Sequence, residues 1–131
     1  LTTRPSGRLR RRLTPTLGLL MEFVATLMET AAADTDVLRS LDRNGDHFSM
    51  SRDVDFLLVA PDAEKAALVA SFINDHSYGK AVLQDPASVL VTINMPVEQP
   101  VALCVSGFFT CLARLFGVEY DGWGCVAQPQ T

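Results

Sequence analysis

The hydrophobic residues of the first third of the chain recur three or four positions apart. This spacing predicts an amphipathic helix over residues 14–33 and a second, shorter helix over residues 35–42. Residues 1–13 contain few large apolar side chains and five arginines. Because such a segment has little to bury, we expect a disordered basic arm ahead of the fold.

Beyond residue 50 the pattern changes to alternating strands and helices. Polar and apolar residues alternate over residues 52–59 and again over residues 88–94, which is typical of strands with one buried face. Residues 61–76 between them have helical spacing, and residues 80–84 predict a short strand that forms a hairpin with the one after it.

The remaining elements complete the order β-α-β-β-α-β. Residues 99–116 predict a helix that ends at Gly117, and "VEYDGWGCVA" predicts a last strand. Right-handed crossovers bring this order into one antiparallel sheet with two helices on one face. The sequence therefore predicts a single α+β domain over residues 14–131, with a ferredoxin-like sandwich at about residues 50–128 and an added N-terminal helix.

The predicted helix over residues 99–116 is apolar on more than one face. Such a helix is either buried between two layers, or one of its faces is an interface in a homo-oligomer. Ser106, Thr110 and Arg114 interrupt its apolar run, so we expect no membrane span.

The segment "LDRNGDHFSMSRD", residues 41–53, resembles a calcium loop. Asp42, Asn44 and Asp46 have the spacing of the first three ligands of an EF-hand. The EF-hand turn requires a glycine where this chain has His47, and the pattern that follows predicts a strand rather than a helix. We therefore expect a helix end, an Asn-Gly turn and a strand, without bound calcium.

Charge is divided unevenly along the chain. The net charge is −4, but residues 13–131 contain 6 basic and 15 acidic side chains and have a net charge of −9. This body should repel the phosphate backbone of nucleic acids and suit a basic partner. We expect a protein partner and no direct contact with nucleic acid or membrane.

The cysteines and the N-terminal segment bear on the compartment. Cys104, Cys111 and Cys125 form no C-x-x-C pair, and their odd number argues against a secreted disulfide scaffold. The N-terminal segment resembles a signal peptide, but Glu22 interrupts its apolar part, and Met21 is a candidate start of the native chain. We expect buried free thiols and a cytoplasmic location.

The sequence contains no recognisable catalytic constellation. Asp53 and Asp55 share one strand face, but no companion base accompanies them. His47 and His76 stand alone, without the neighbours of a metal site. Because there is also no nucleophile triad, phosphate loop or dinucleotide fingerprint, the sequence predicts a non-enzymatic protein without catalytic residues, cofactor or metal.

The most distinctive motif is "YDGWG", which comprises Tyr120, Asp121, Gly122, Trp123 and Gly124. Its glycines permit a bulge in a strand, and its tryptophan either covers the sheet within the fold or anchors a partner at the surface. The pattern favours a structural motif, and exposure of Trp123 would reverse that interpretation.

This motif carries a resemblance to a known family. With "GD" at residues 45–46, "RDVDF" at 52–56, "NMP" at 94–96 and "FGVEYDGWGC" at 116–125, the chain resembles the bacterial regulator of ribonuclease E activity B over residues 37–126. The resemblance implies a ferredoxin-like fold and a regulator that is not itself a nuclease. It also implies that the protein binds ribonuclease E and inhibits RNA cleavage.

Charge and resemblance together predict an acidic surface that recruits a basic segment of a ribonuclease E-like protein. The first and last strands of this fold are neighbours, so the candidate contact residues are Asp53, Asp55, Glu119, Asp121 and Trp123. Two alternatives remain open. One is a structural homo-oligomer, and the other is a ferredoxin-like module of unknown role that binds a small ligand.

Overall fold

The computed structural model describes residues 7–129, with the side chains of residues 18–129. Three helices and four strands follow one another within this range. They are α1 (Gly7–Arg43), β1 (Arg52–Val59), α2 (Ala63–Asp75), β2 (Lys80–Gln84), β3 (Ser88–Met95), α3 (Gln99–Phe116) and β4 (Glu119–Cys125). The predicted β-α-β-β-α-β order is confirmed.

The four strands form one sheet in the order β2-β3-β1-β4, and every neighbouring pair is antiparallel. The two strands in the centre, β1 and β3, pair along their whole length, from Arg52 opposite Met95 to Val59 opposite Ser88. α2 and α3 pack against one face of this sheet. The α+β sandwich with an added N-terminal helix is therefore the fold.

The core lies between the sheet and the helices. Val54, Phe56 and Leu58 of β1 are no more than 1% exposed, as the period-two alternation requires when one face of a strand is covered. The Phe56 ring lies 4.9 Å from that of Phe109 on α3, centroid to centroid, and 6.5 Å from that of Trp123 on β4. The aromatic contacts therefore join β1, α3 and β4 at the centre of the domain.

α1 is one continuous helix, so the prediction of two separate helices is wrong. Asp34 has a typical helix-cap side chain, but here it is buried and bonds to α3 and β4 instead of capping a new helix. Thr35 Oγ1 donates to the Ala31 carbonyl at 2.9 Å, which is compatible with an unbroken helix. α1 also includes residues 7–13 of the predicted disordered arm, whereas residues 1–6 lie outside the described range.

α3 lies between α1 and α2 in the helix layer. Ser106 bonds to Asp34, and eight residues further along α3 the Arg114 guanidinium lies 5.4 Å from the centre of the Phe23 ring. Since α1 numbering falls as α3 numbering rises, the two helices are antiparallel. Of the described helices, α3 alone is long and apolar enough to cross a membrane, but its inner face packs on the sheet as in a core helix.

The prediction that the thiols are buried is wrong for two of the three cysteines. Cys104 and Cys111 are exposed, and Cys125 is half-buried. The first two lie on the side of α3 that faces away from the sheet, opposite the buried Ser106 and Ala113. Sequence composition alone placed cysteines in the core, whereas the direction of the helix face decides their exposure.

A buried ion pair organises the segment that resembled a calcium loop. α1 ends at Arg43, and Gly45 turns the chain with φ of +72°, so the predicted helix end and turn are confirmed. The Asp46 carboxylate pairs with the Arg52 guanidinium. It also accepts a hydrogen bond from the backbone N–H of Gln128 at 2.6 Å. Asp46 therefore fixes β1 and the C-terminal segment instead of pointing into a cation site.

Candidate protein-binding face

The sheet face opposite α2 and α3 is not covered by any helix of the described residues. We call it the open face. It includes Asp53, Asp55, Leu57, Val59, Lys80, Val82, Leu90, Thr92 and Asn94, and at its far end Glu119 of β4, which stands opposite Val59.

Two carboxylates lie side by side on the open face. Asp53 and Asp55 are both exposed, and each is held by the residue opposite it on β3. Asn94 Nδ2 donates to Asp53 at 3.1 Å, and Thr92 Oγ1 donates to Asp55 at 2.8 Å. These bonds restrict the rotamers of both carboxylates, so they are positioned before any partner arrives.

An apolar row crosses the open face beside the carboxylates. Leu57 on β1 stands opposite Leu90 on β3, which stands opposite Val82 on β2, so three strands contribute one side chain each. Val82 is 50% exposed, and the two leucines are half-buried. Lys80 is the single cation that the described residues place on this face. The surface combines apolar contact area with net negative charge.

A β-bulge in β4 determines where the "YDGWG" side chains lie. The register with β1 shifts between Phe56 and Leu58, where Asp121 and Gly122 together oppose one residue. Gly122 has a φ of +90°, a conformation that favours glycine. Because of this extra residue, Tyr120 and Trp123 both face the helix layer although they are three positions apart.

Tyr120 and Trp123 belong to a hydrogen-bond network that joins α1, α3 and β4. Trp123 Nε1 and Ser106 Oγ both donate to Asp34 Oδ1 at 2.9 Å. The Tyr120 hydroxyl bonds to Ser106 Oγ at 2.8 Å. Since Trp123 is only 9% exposed, its indole acts here as a core side chain that satisfies a buried carboxylate.

Burial shifts the protonation of this network. It raises the pKa of Asp34 above its ordinary value, while the hydrogen bonds from Ser106 and Trp123 act in the opposite direction. Burial also raises the pKa of Tyr120, so its hydroxyl stays protonated and continues to hydrogen-bond. The network therefore joins α1 to α3 and β4 through the buried Asp34 carboxyl.

The five candidate contact residues do not converge on one spot. Asp53 and Asp55 lie on the open face, and Trp123 lies in the core. Asp121 lines a crevice of about 290 Å³ between α1 and β4, and Glu119 lines a neighbouring one of about 480 Å³. β4 is an edge strand, and Glu119 pairs with Val59, about 13 Å along β1 from Asp55.

Comparison with known proteins identifies the part of the chain that carries these features. The family model described as "Regulator of ribonuclease activity B" matches residues 31–125, from the second half of α1 to the end of β4. The chain belongs to this family. No curated protein matches the chain in sequence. The family is one of regulators rather than of catalysts, and the matched region contains the open face and the Asp34 network.

Sequence reasoning missed the apolar row, although a signal for it is present. In "RDVDFLLV" the alternation stops at Phe56, and the apolar residues Leu57, Leu58 and Val59 follow consecutively. A strand that is apolar at consecutive positions is apolar on both faces, so an uncovered face carries exposed contact area. For this member of the regulator family, the strand pattern predicts a face with acidic and apolar halves.

Proposed function

We propose that the protein is a non-catalytic regulator that binds a ribonuclease through the open face and lowers its cleavage of RNA. The observation that carries the proposal is the open face itself, which combines an apolar row with two positioned carboxylates. Family membership supports a ribonuclease as the target, and ribonuclease E is the first candidate. The expected contact is a basic segment of that enzyme.

The charge distribution favours a protein partner over RNA. Residues 13–131 have a net charge of −9, so an approaching phosphate backbone is repelled by most of the domain. A lysine- or arginine-rich segment would instead be attracted to the domain. Its rate of association would fall as the salt concentration increases. Inhibition would then arise from contact with the enzyme and not from covering its substrate.

The apolar row gives such a segment something to bury. Long basic side chains have apolar stems, and these stems can lie on Leu57, Leu90 and Val82 while their charged ends reach Asp53 and Asp55. The charged part of this contact is exposed to solvent and screened by salt, so we expect reversible, salt-sensitive binding. Free thiols at Cys104 and Cys111 suit a reducing compartment, and we place the complex in the cytoplasm.

The proposal is tested by separating enzyme binding from RNA binding. The full chain is added in increasing amounts to the ribonuclease of its own cell, and cleavage of a single-stranded RNA is followed. A parallel gel-shift measures binding of the same RNA to the protein alone. We expect cleavage to fall with added protein while the RNA alone stays unshifted. Unchanged cleavage, or tight RNA binding by the protein alone, would contradict the proposal.

A further inference from the structure

The outward face of α3 carries an apolar row that no described residue covers. Its members are Cys104, Phe108, Cys111 and Leu115, which we call the α3 stripe. Phe108 is 38% exposed, Leu115 is 85% exposed, and both cysteines are exposed. The ring of Tyr78, itself exposed, lies 5.0 Å from that of Phe108 and widens the patch.

The spacing of the α3 stripe is that of a helix–helix seam. Its residues are four, three and four positions apart, as in the a and d positions of a heptad repeat. The solvent-facing side of an amphipathic helix normally carries polar residues. Of the two explanations that the sequence left open for this helix, burial between layers does not apply, because the stripe faces away from the sheet.

We infer that the α3 stripe is the interface of a homodimer in which two copies of α3 pack antiparallel. In a two-fold dimer each residue near the axis meets its own counterpart, so a self-binding face must avoid like charges. The only charged residue of α3 is Arg114, although residues 13–131 have a net charge of −9. A seam built from α3 therefore contains no acidic side chain from that helix.

The antiparallel direction follows from electrostatics. Parallel packing would set the two positive helix N-termini side by side and the two negative C-termini side by side, whereas antiparallel packing pairs opposite ends. The register that buries the whole stripe has its axis between Phe108 and Cys111. It brings the two Cys111 residues within about one turn of each other and separates the two Cys104 residues by about 16 Å along the axis.

This interface is independent of the proposed function, because the α3 stripe and the open face lie on opposite sides of the domain. A dimer formed through α3 leaves both open faces accessible. The dimer can therefore be tested without any ribonuclease.

The first experiment measures the mass of the full chain by sedimentation over a range of concentrations. We expect a dimer, and we expect Leu115→Glu to raise its dissociation constant at least about 30-fold, because a charge enters the seam. Leu83→Glu is the matched control, since Leu83 is 54% exposed on β2, away from α3, and should leave the dimer intact. A wild-type monomer, or a dimer unaffected by Leu115→Glu, would overturn the inference.

The second experiment tests the direction of packing with a short bismaleimide, which adds one thiol to each maleimide ring. Two proteins are compared in a Cys125→Ala background, one with Cys104→Ser and one with Cys111→Ser. The first keeps only Cys111 and should cross-link as a dimer, whereas the second keeps only Cys104 and should not. Equal cross-linking of both would indicate parallel helices and overturn the antiparallel arrangement.

Discussion

At the scale of single residues, the Asp46–Arg52 ion pair is the most completely buried charged contact of the described chain. The guanidinium also donates to the carbonyls of His47 and Met50 and, at 3.5 Å, to that of Val126, so one side chain joins the loop, β1 and the C-terminal segment. Removing one member of such a pair leaves the other charge buried without compensation.

We therefore predict that Arg52→Met lowers the free energy of unfolding by about 3–5 kcal/mol. Adding Asp46→Leu should recover part of this loss, because the orphaned carboxylate is removed as well. Arg39→Met is the matched control. The Arg39–Asp36 pair is exposed, with 3.6 Å between the charged atoms, and its loss should cost less than about 1 kcal/mol. Urea unfolding measures all variants, and equal effects of Arg52→Met and Arg39→Met would contradict the assignment.

The Asp34 carboxyl predicts a pH dependence whose sign follows from its raised pKa. The folded protein takes up this proton at a higher pH than the unfolded chain does. The contribution of Asp34 to the free energy of unfolding is therefore largest at low pH and falls as pH rises through the raised pKa. Asn at this position keeps the oxygen that accepts from Ser106 and Trp123, but it cannot ionise.

We predict that the free energy of unfolding of Asp34→Asn, relative to that of wild type, is higher at pH of about 7 than at pH of about 4. Asp36→Asn, at an exposed position of the same helix, should show little of this dependence. Urea unfolding at both pH values gives the comparison. A wild-type advantage over Asp34→Asn that grows as pH rises would show that the hydrogen bonds outweigh the burial of the charge.

At the scale of elements, the bulge in β4 makes the two glycines of the motif unequal in how well each can be replaced by another residue. Gly122 has φ of +90°, whereas Gly124 does not have a positive φ, and neither would bring an added Cβ within 4 Å of a neighbouring atom. We predict that Gly122→Ala lowers the free energy of unfolding by about 1–2 kcal/mol and that Gly124→Ala has a much smaller effect. Thermal unfolding distinguishes them, and equal effects would argue against the bulge conformation.

The elements also show what the sequence can and cannot predict. Period-two alternation located β1, and helical spacing with Gly117 located α3, because burial on one face imposes these periods directly. The continuity of α1 was not predictable in the same way. Asp34 looks like a cap locally, and only its bonds to Ser106 and Trp123, distant in sequence, make it a core residue.

The candidate site was predicted only in part for a similar reason. The alternation placed Asp53 and Asp55 on one face, and the structure agrees with that arrangement. The positions of Glu119 and Asp121 depend on the bulge register, which a single sequence does not specify. The assignment of these residues to partner binding stays a prediction.

At the scale of the whole molecule, the N-terminal segment and the rest of the chain have opposite net charge. Removing residues 1–13 changes the net charge from −4 to −9. The described packing of α1 involves Phe23, Asp34 and Leu38, all well beyond this segment. We predict that the truncated protein keeps its melting temperature within a few degrees, as differential scanning fluorimetry can test. A large decrease would show that the segment contributes to packing.

The central claim is that the open face binds the ribonuclease, and the affinity of charge-matched variants tests it most directly. Three double variants each remove two acids: Asp53→Asn with Asp55→Asn on the open face, Glu119→Gln with Asp121→Asn on the β4 edge, and Glu64→Gln with Asp75→Asn on α2. Each is titrated calorimetrically with the ribonuclease of the same cell, without RNA, at low and high salt.

We predict that the open-face variant binds about tenfold more weakly at low salt, that the α2 variant stays within about twofold of wild type, and that the edge variant falls between them. Equal affinity of the open-face and α2 variants would contradict the account.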